Sequence, residues 1–274
     1  MSKNTNSYDY PWMPEVYDLH ETQTYDVEFI RKTLMEKHRQ LRSGRPLRVF
    51  EAFCGTGRIL LPLAQDGHEV VGMDQSEHML ERARQKLANL SDEMAQRVTL
   101  IQADSTSGRW PGNFDVVLLA GNCFYELATP AEQEGCIASA AAALRPGGQV
   151  WVDNDHMEGP LPESWTRPGM HRSQFPSGHL ADGSMVEAFS ENLDCDVQGR
   201  IWRARRTLRV LLPDGRREEH TYLQQKHPVS FAEVESWLTG HRFAIQATFG
   251  DHNGNPYRPD ATRAIFWAWK HIPA

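Results

Sequence analysis

The stretch from Leu47 to Leu63, LRVFEAFCGTGRILLPL, constrains the fold of this chain more than any other segment. Its first half is a short apolar run, which is typical of a buried strand. Its middle, CGTG, replaces bulky side chains with two glycines, and apolar residues then return at helical spacing. A strand that passes through bare backbone into a helix presents N–H groups at the helix N-terminus. The segment therefore predicts a loop that binds a polar ligand.

Strand and helix patterns alternate from about residue 47 to residue 157. Five apolar runs predict strands: LRVFEAF, HEVVGMD, VTLIQAD, FDVVLLAG and GQVWVDN. Helical patterns lie between them, and one begins at a capping box of Thr129 and Glu132 with Pro130 at its first position. Strands separated by helices in this way predict an α/β fold built on a doubly wound, mostly parallel sheet.

The pattern changes after residue 157, where several prolines predict a loop-rich passage. Strand-like runs near 184–197, 200–212 and 216–226 then predict an antiparallel β meander. A capped helix follows at Ser230, and the runs RFAIQATFG and RAIFWAWK predict two last strands that complete a sheet of seven. We predict four parts, which are an N-terminal helical lid (1–46), an α/β core (47–157), an inserted antiparallel lobe (158–228) and a closing helix with strands (229–274).

Composition excludes several classes of protein. The chain has 274 residues and a formal net charge of −7, which disfavours binding to a nucleic-acid backbone. No run of about 18 apolar residues and no signal-peptide pattern is present, so we expect neither a membrane span nor export. The four cysteines lie far apart, which suits a reduced, cytoplasmic protein.

Two ligand classes compete for the glycine loop, namely dinucleotides and S-adenosylmethionine. A dinucleotide loop has the pattern G-x-G-x-x-G, but here Leu60 stands where the third glycine belongs. The lysine of a phosphate-binding P-loop is also absent. Glu51 precedes the loop, where a carboxylate would repel a pyrophosphate but would suit a sulfonium or an α-ammonium group. The residues therefore favour S-adenosylmethionine.

FEAFCGTGR resembles the first motif of class I S-adenosylmethionine-dependent methyltransferases, and further motifs match in order over residues 47–155. Asp74 lies seventeen residues past Gly57, where that family binds the ribose hydroxyls. Asp104 and Ser105 stand where the family holds adenine. FDVVLLAGNCFYEL resembles the strand and loop beside the methionine moiety, and LRPGGQVWVD resembles the link into the fifth strand.

The resemblance implies that S-adenosyl-L-methionine is the cofactor. It also implies a set of cofactor-binding residues: Glu51, Phe53, Gly55, Thr56, Gly57, Asp74, Gln75, Met79, Asp104, Ser105, Gly121 and Asn122. Phe53 departs from the family, which more often has glycine there, and we interpret its ring as a wall packed against a neighbouring strand. Gly55 and Gly57 are expected to let the backbone approach the methionine chain.

The acceptor of the methyl group is expected at the tips of the fourth and fifth strands, under the N-terminal and inserted segments. Asp153 and Asp155 are polar candidates for contact with the acceptor. Trp12 in the N-terminal segment is an aromatic candidate, although ordinary packing explains an aromatic residue there equally well. We predict His156 and Tyr125 as catalytic residues. The predicted substrate-contacting residues are Tyr17, Tyr25, Asn122, Tyr125, Asn154 and His156.

Two features leave alternatives open. VDNDH resembles the magnesium-binding segment of catechol-type O-methyltransferases, but Ala120-Gly121-Asn122 lacks the acidic ligand that those enzymes place after the fourth strand, so we predict no metal. Seven arginines lie between Arg200 and Arg217. We favour a solvated face paired with acidic residues across strands, with an anionic substrate, a subunit contact or RNA as alternatives.

The lid and the insert are similar to those of small-molecule N-methyltransferases acting on glycine or amino sugars. This similarity implies methyl transfer to a small-molecule acceptor, at a nitrogen. The alternatives are an O-methyltransferase, with or without a metal, a ligand-binding protein without turnover, and a dinucleotide oxidoreductase. No nucleic-acid or membrane partner is expected, and assembly into a homo-oligomer stays open.

Overall fold

Two β-sheets organise the protein, and the structure, a computed structural model, describes residues 7–40, 44–158 and 163–271. The strands are β1 (Arg48–Ala52), β2 (Glu69–Asp74), β3 (Val98–Gln102), β4 (Phe114–Leu119), β5 (Leu144–Asp155), β6 (Met170–His179), β7 (Met185–Asp196), β8 (Ile201–Leu211), β9 (Arg217–Lys226), β10 (Phe243–Phe249) and β11 (Arg263–Lys270).

The helices flank the larger sheet and connect its strands. They are α1 (Met13–His20), α2 (Tyr25–Gln40), α3 (Leu60–Gln65), α4 (Glu77–Leu87), α5 (Asp92–Ala95), α6 (Pro130–Ala143), α7 (Glu163–Thr166) and α8 (Phe231–Gly240). Within the described part of the chain, no helix combines the length and the apolar character needed to cross a membrane.

The central sheet has seven strands in the order β10-β11-β5-β4-β1-β2-β3, and β11 runs antiparallel to both of its neighbours. The predicted α/β fold with a mostly parallel sheet of seven strands is confirmed. β4 is buried along its whole length, as expected for a parallel strand covered on both faces. Strand order reverses between β1 and β4, so the loops that follow these two strands diverge and open a crevice at the carboxyl edge.

Close packing of α3 on the sheet depends on a glycine in another strand. Gly72 in β2 lies against the glycine loop, where an added Cβ would come within 2.7 Å of Cys54 Sγ and 2.8 Å of Leu60 Cδ2. Leu60 is the residue that replaces the third glycine of the dinucleotide pattern. The third glycine of the dinucleotide pattern normally allows the helix to approach the sheet closely. Here Gly72 of β2, which faces Leu60, allows that approach instead.

The second sheet, which we call the lobe sheet, contains β6-β7-β8-β9 in antiparallel order. β7, β8 and β9 match the predicted meander, but β6 was not predicted, because Pro176 and the prolines before the strand indicated a loop. Pro176 lies in β6, which is an edge strand, and an edge strand tolerates a residue that donates no hydrogen bond.

Arginines on the outer face of β8 form ion pairs with neighbouring strands. Arg203 lies 3.0 Å from Asp194, and Arg205 lies 2.6 Å from Glu191. Arg209 lies 2.8 Å from Glu219. These contacts confirm the interpretation of a solvated, paired face for this subset of the arginines.

Helix α1 connects the two sheets. On one side Asp18 accepts hydrogen bonds from Thr56 Oγ1 at 2.8 Å and from Lys86 Nζ at 2.7 Å. On the other side Val16 is fully buried with Val186 and Val210 of the lobe sheet. Both predicted capping boxes, at Thr129 and at Ser230, are present.

The capping box of α8 predicts a pH-dependent stability. Burial disfavours the Glu233 carboxylate, but hydrogen bonds from His227 and Ser230 lower its pKa from 4.5 to about 2. A depressed pKa stabilises the fold above pH 4.5 and loses that effect as pH falls toward 2. Glu233→Gln should lower the unfolding free energy by roughly 2–3 kcal/mol at pH 7. Urea unfolding at pH 7, 4.5 and 3 should show that the difference in unfolding free energy between the wild type and the variant becomes smaller as the pH falls.

The matched control is Glu235→Gln, because Glu235 lies on the same helix and is exposed. It should change stability by less than about 0.5 kcal/mol at each pH. If the loss of unfolding free energy in the Glu233 variant does not change with pH, the lowered pKa of Glu233 is not its cause.

Candidate active site

The glycine loop follows β1 at the carboxyl edge of the central sheet. Phe53, Gly55 and Gly57 have φ values of 62°, 53° and 77°, a region that favours glycine. Glycine is the residue that the family usually has at position 53, and the positive φ is a physical reason for that preference. The Phe53 side chain is half-buried against the apolar cluster on one face of the sheet, consistent with the predicted wall.

Gly57 also has a packing requirement. A Cβ at this position would lie 3.0 Å from Leu61 Cγ and 3.6 Å from the Ala83 Cβ, so the space beside Gly57 is filled by α3 and α4. The glycine therefore serves the turn and helix packing, and its approach to the methionine chain stays a prediction. A Cβ at Gly55 would lie 3.3 Å from the Met79 Cε, which places the buried Met79 directly behind the loop.

Asp74 ends β2 and joins the loop to α4. Its carboxylate accepts hydrogen bonds from the backbone N–H groups of Gly55 and Ser76, both at 2.9 Å. Burial raises the pKa of Asp74, while the backbone donors oppose that shift. Gln75 beside it is exposed. The carboxylate thus lies at the mouth of the loop, where the ribose-binding role is predicted.

Two predicted cofactor residues have side chains engaged elsewhere. Thr56 is fully buried, and its hydroxyl donates to Asp18 and accepts from Lys86 at 2.8 Å. The Asn122 side chain donates to the Asp155 carboxylate at 2.8 Å and accepts from the Asp155 N–H at 2.7 Å. Thr56 therefore fastens α1 and α4 to the loop, and Asn122 ties the end of β4 to the end of β5.

The adenine-side residues lie in the turn after β3. Asp104 is exposed and accepts hydrogen bonds from the Thr106 N–H and hydroxyl at 2.8 and 2.7 Å. Ser105 is buried, and its carbonyl accepts from Trp110 Nε1 at 3.0 Å. The Ser105 hydroxyl is buried without a hydrogen-bond partner among the described residues.

A carboxyl group and a guanidinium group lie under the loop. Glu51 is buried in β1, and burial raises the pKa of its carboxyl far above the usual range. Arg58 begins the helical part of the motif, and a Cβ at Gly121 would lie 3.9 Å from its guanidinium, which places it in the crevice between β1 and β4. Glu51 Oε2 and Arg58 Nε are both buried without a hydrogen-bond partner in the described chain.

The other nitrogens of Arg58 are already bound. They donate to both carboxylate oxygens of Asp26 in α2, at 2.8 and 2.7 Å. The Tyr17 hydroxyl of α1 hydrogen-bonds Arg58, and burial raises the pKa of Tyr17 to about 12. The sequence did not identify Arg58 as a site residue, because the glycine pattern specifies no residue type at its position. Its charge was the only available signal of a role in the site.

Tyr125 follows β4 and faces the lobe sheet. Its ring lies 3.9 Å from Lys226 Nζ and meets the Trp165 ring edge-on at 5.7 Å. Burial raises the pKa of Tyr125 to about 12, and the charges of Glu126 and Asp155 add to the shift. The phenol therefore keeps its proton at neutral pH and can donate a hydrogen bond.

Asn154 and His156 lie at the end of β5 on the face that alternates with Asp153 and Asp155. Both are buried, and neither polar atom of the Asn154 amide nor either His156 ring nitrogen has a hydrogen-bond partner among the described residues. The His156 ring packs against Tyr257 at 5.3 Å, and its Nδ1 lies 3.5 Å from Glu158. His156 and Tyr125 thus have different surroundings.

Asp153 belongs to a buried network that sequence reasoning did not assign. His252 Nε2 lies 2.8 Å from its carboxylate, and Arg263 bridges Asp153 and Asp155. Asp153 and Asn154 point to opposite faces of β5, so they do not converge on one point as ligands of one ion would. The available signal for the role of His252 was its position in the loop before β11, the strand that pairs with the Asp153 strand.

The predicted aromatic residues of the N-terminal segment separate into two groups. Trp12 stacks on Tyr10 at 5.3 Å and packs against the lobe sheet, so it serves packing. Tyr25 is 53% exposed at the start of α2 and lies 5.3 Å from the His252 ring. Tyr8 was not predicted. Burial raises its pKa well above the usual value, and the charges of Glu126, Tyr17 and Asp74 add to this shift.

Comparison with known sequences places a domain in this part of the chain. Residues 49–148 match a family model described as a methyltransferase domain. A cypemycin N-terminal methyltransferase from Streptomyces sp is 28% identical over 149 residues, which are 51% of this chain and 56% of that protein. A relative from Bacillus subtilis (strain 168) is 30% identical over 148 residues, 53% of this chain and 54% of the relative. The chain spans about half the length of these curated relatives.

Solved structures extend the likeness beyond this domain. The methyltransferase CcbJ from Streptomyces caelestis has a TM-score of 0.69 at 20% identity, over 97% of this chain and 99% of that one. The sugar N-methyltransferase KedS8 from Streptoalloteichus sp ATCC 53650 has a TM-score of 0.67 at 17% identity, over 94% and 92% of the two chains. The motif order, the sheet order and these matches agree: residues 49–148 resemble a methyltransferase domain, and the chain has the fold of these methyltransferase structures.

Proposed function

We propose that this protein transfers a methyl group from S-adenosylmethionine to a nitrogen of a small-molecule acceptor. The observation that carries the proposal is the pair of buried, unpartnered atoms beside the glycine loop, Glu51 Oε2 and Arg58 Nε. The methionyl part of the cofactor carries an α-ammonium and an α-carboxylate group. A buried carboxyl and a buried guanidinium provide one complementary partner for each, which a pyrophosphate would not need.

The acceptor site is proposed between the carboxyl edge of the central sheet and the inner face of the lobe sheet. Tyr125 and Glu126 reach this space from β4, and Lys226 reaches it from β9. Tyr8 is close enough to Asp74 and to the lobe residue Tyr222 for both to raise its pKa, after the larger effects of burial and Glu126. Its ring offers an aromatic face, which suits a cationic amine.

The choice of nitrogen is supported by the fold. The structural neighbours that align over most of this chain include a sugar N-methyltransferase and, at 17% identity with a TM-score of 0.54, a glycopeptide N-methyltransferase. Each of these names describes the neighbour, and for the present chain a nitrogen acceptor is our proposal.

The protein's contribution to such a reaction is positioning and the handling of one proton. The cofactor supplies an electrophilic methyl group, and the acceptor lone pair must lie in line with the bond that breaks. Tyr125, which keeps its proton, can orient the acceptor by hydrogen bonding. His156 has two unpartnered ring nitrogens and can accept the proton that a charged amine loses. The lobe sheet and the N-terminal segment exclude water from this space.

Calorimetry with S-adenosylmethionine, S-adenosylhomocysteine and NAD tests the cofactor half of the proposal. Binding of the first two, without NAD, is expected. A screen of small amines and alcohols with methyl-labelled cofactor then tests the acceptor half, and NMR of the product identifies the methylated atom. Label on oxygen, or transfer that stops with a chelator, would contradict the nitrogen proposal.

We expect His156→Ala and Tyr125→Phe each to lower turnover by about 10²-fold, the lower end for general acid–base groups. Cofactor affinity should stay near wild type, because both residues are proposed to act on the acceptor. Single-turnover rates and S-adenosylhomocysteine titrations measure the two quantities separately. The control is Tyr257→Phe, which keeps the ring beside His156 and should leave turnover within about twofold. Normal turnover in both test variants would move the proton-handling role to another residue.

A further inference from the structure

The inner face of the lobe sheet carries two cations that the outer ion pairs do not explain. Arg206 in β8 and Lys226 in β9 point to the face that packs on the core, opposite Arg205 and Arg209. Lys226 is only 7% exposed and lies 3.1 Å from Glu126, with its ammonium over the Tyr125 ring. Burial lowers the pKa of Lys226, and Glu126 opposes that shift.

Arg206 has no such partner. Its Nη2 donates to Ser173 Oγ at 3.1 Å and to the Phe175 carbonyl at 2.8 Å, both of which are neutral. Its Nε is buried and has no hydrogen-bond partner, and no carboxylate within 4 Å forms an ion pair with it among the residues that the structure describes. Arg206 is half-buried, and a partly desolvated guanidinium without a counter-charge is a suitable partner for an anionic ligand that supplies the charge.

The position of Arg206 connects this charge to the proposed acceptor site. Its guanidinium hydrogen-bonds the Tyr222 hydroxyl, and its charge acts on Tyr125 and on Lys226. Tyr222 in turn lies close enough to Tyr8 to affect its ionisation, and Tyr8 is close to Asp74. Arg206 is therefore on the far side of the acceptor space from the glycine loop.

We propose that Arg206, with Lys226 as a second cation, binds an anionic group of the methyl acceptor. This inference rests on the proposed function, because it concerns the same acceptor. A carboxylate or a phosphate fits, since a guanidinium binds the oxygens of either group through parallel N–H donors. The acceptor is then a small molecule with an amine directed to the glycine loop and an anion directed to the lobe sheet.

The test uses the full-length protein saturated with S-adenosylhomocysteine. Acetate and malonate probe carboxylate binding by calorimetry, and inorganic phosphate and pyrophosphate probe phosphate binding. At least one probe should bind, and Arg206→Gln should weaken it by tenfold or more. Arg206→Lys keeps the charge but loses the planar fork, and it should fall between the wild type and Arg206→Gln. Whichever probe family responds identifies the group.

Arg209→Gln is the matched control, because Arg209 lies on the same strand with its side chain on the outer face, paired with Glu219. It should bind the probe as the wild type does. Equal affinity in the Arg206→Gln and Arg209→Gln variants, or no probe binding to the wild type, would overturn the inference. Both results leave S-adenosylhomocysteine binding intact, whereas its failure to bind would overturn the proposed function itself.

Discussion

Replacing Arg58 with glutamine is expected to weaken S-adenosylhomocysteine binding while leaving 5′-methylthioadenosine binding unchanged. The two ligands share the adenosine and the sulfur, but only the first carries an amino-acid group. Arg58 Nε is buried without a partner, and a hydrogen bond to a charged group contributes about 1.5–3 kcal/mol. The expected loss is therefore roughly ten- to a hundredfold in affinity, measured by calorimetry with each ligand.

The variant also removes the partner of Asp26, whose pKa the Arg58 hydrogen bonds keep below its usual value against the effect of burial. The double variant Arg58→Gln with Asp26→Asn removes both charges and avoids a buried, unpaired carboxylate. It should show the same difference between ligands as the single variant. An equal loss for both ligands would mean that Arg58 supports the crevice rather than the methionyl carboxylate.

Replacing Asp74 with alanine is expected to weaken S-adenosylhomocysteine binding by about 1.5–3 kcal/mol. The carboxylate lies at the mouth of the glycine loop, with its oxygens bound to the N–H groups of Gly55 and Ser76. Those bonds leave further acceptor capacity on each oxygen, enough for two ribose hydroxyls. Calorimetry at constant pH measures the loss.

Loosening of the loop would also weaken binding, so the ribose contact is isolated with a second ligand pair. Adenosine should bind the wild type more tightly than 2′,3′-dideoxyadenosine, and the Asp74→Ala variant should bind the two almost equally. This cycle reports only the coupling between the carboxylate and the hydroxyls. If the variant keeps the wild-type ratio, the hydroxyls contact another group.

Local signals in the sequence were reliable where a residue's role depends on its neighbours in the chain. β4 contains the apolar run Val116–Leu119 because both its faces are buried, and the boxes at Thr129 and Ser230 start helices because their bonds span three residues. β6 was not predicted because Pro176 suggested a loop. An edge strand does not need the hydrogen bond that proline cannot donate, but the local sequence does not show that a strand lies at the edge.

Side-chain partners could not be predicted in the same way. Asn122 and Thr56 were expected to contact the cofactor, which stays a prediction, and their side chains bind Asp155 and Asp18, which lie 33 and 38 residues away in the chain. For Arg58 and His252, the sequence showed side chains that can form hydrogen bonds but did not show which residues they bind. Their roles depend on which distant side chains the sheet order brings within about 3 Å.

The sequence by itself determined the strand, the glycine loop and the following helix, because these depend on short-range backbone geometry. Its motifs also carried the resemblance from which S-adenosylmethionine was expected as the cofactor. Alternation along β8 also determined that Arg206 lies opposite Arg205 and Arg209. Only the tertiary structure decided which groups lie against the Arg206 face, because that depends on how the lobe sheet docks against α1 and Tyr125. The tertiary structure also leaves Glu51, Arg58 and Arg206 with buried atoms that have no hydrogen-bond partner among the described residues, and such atoms are available to a ligand.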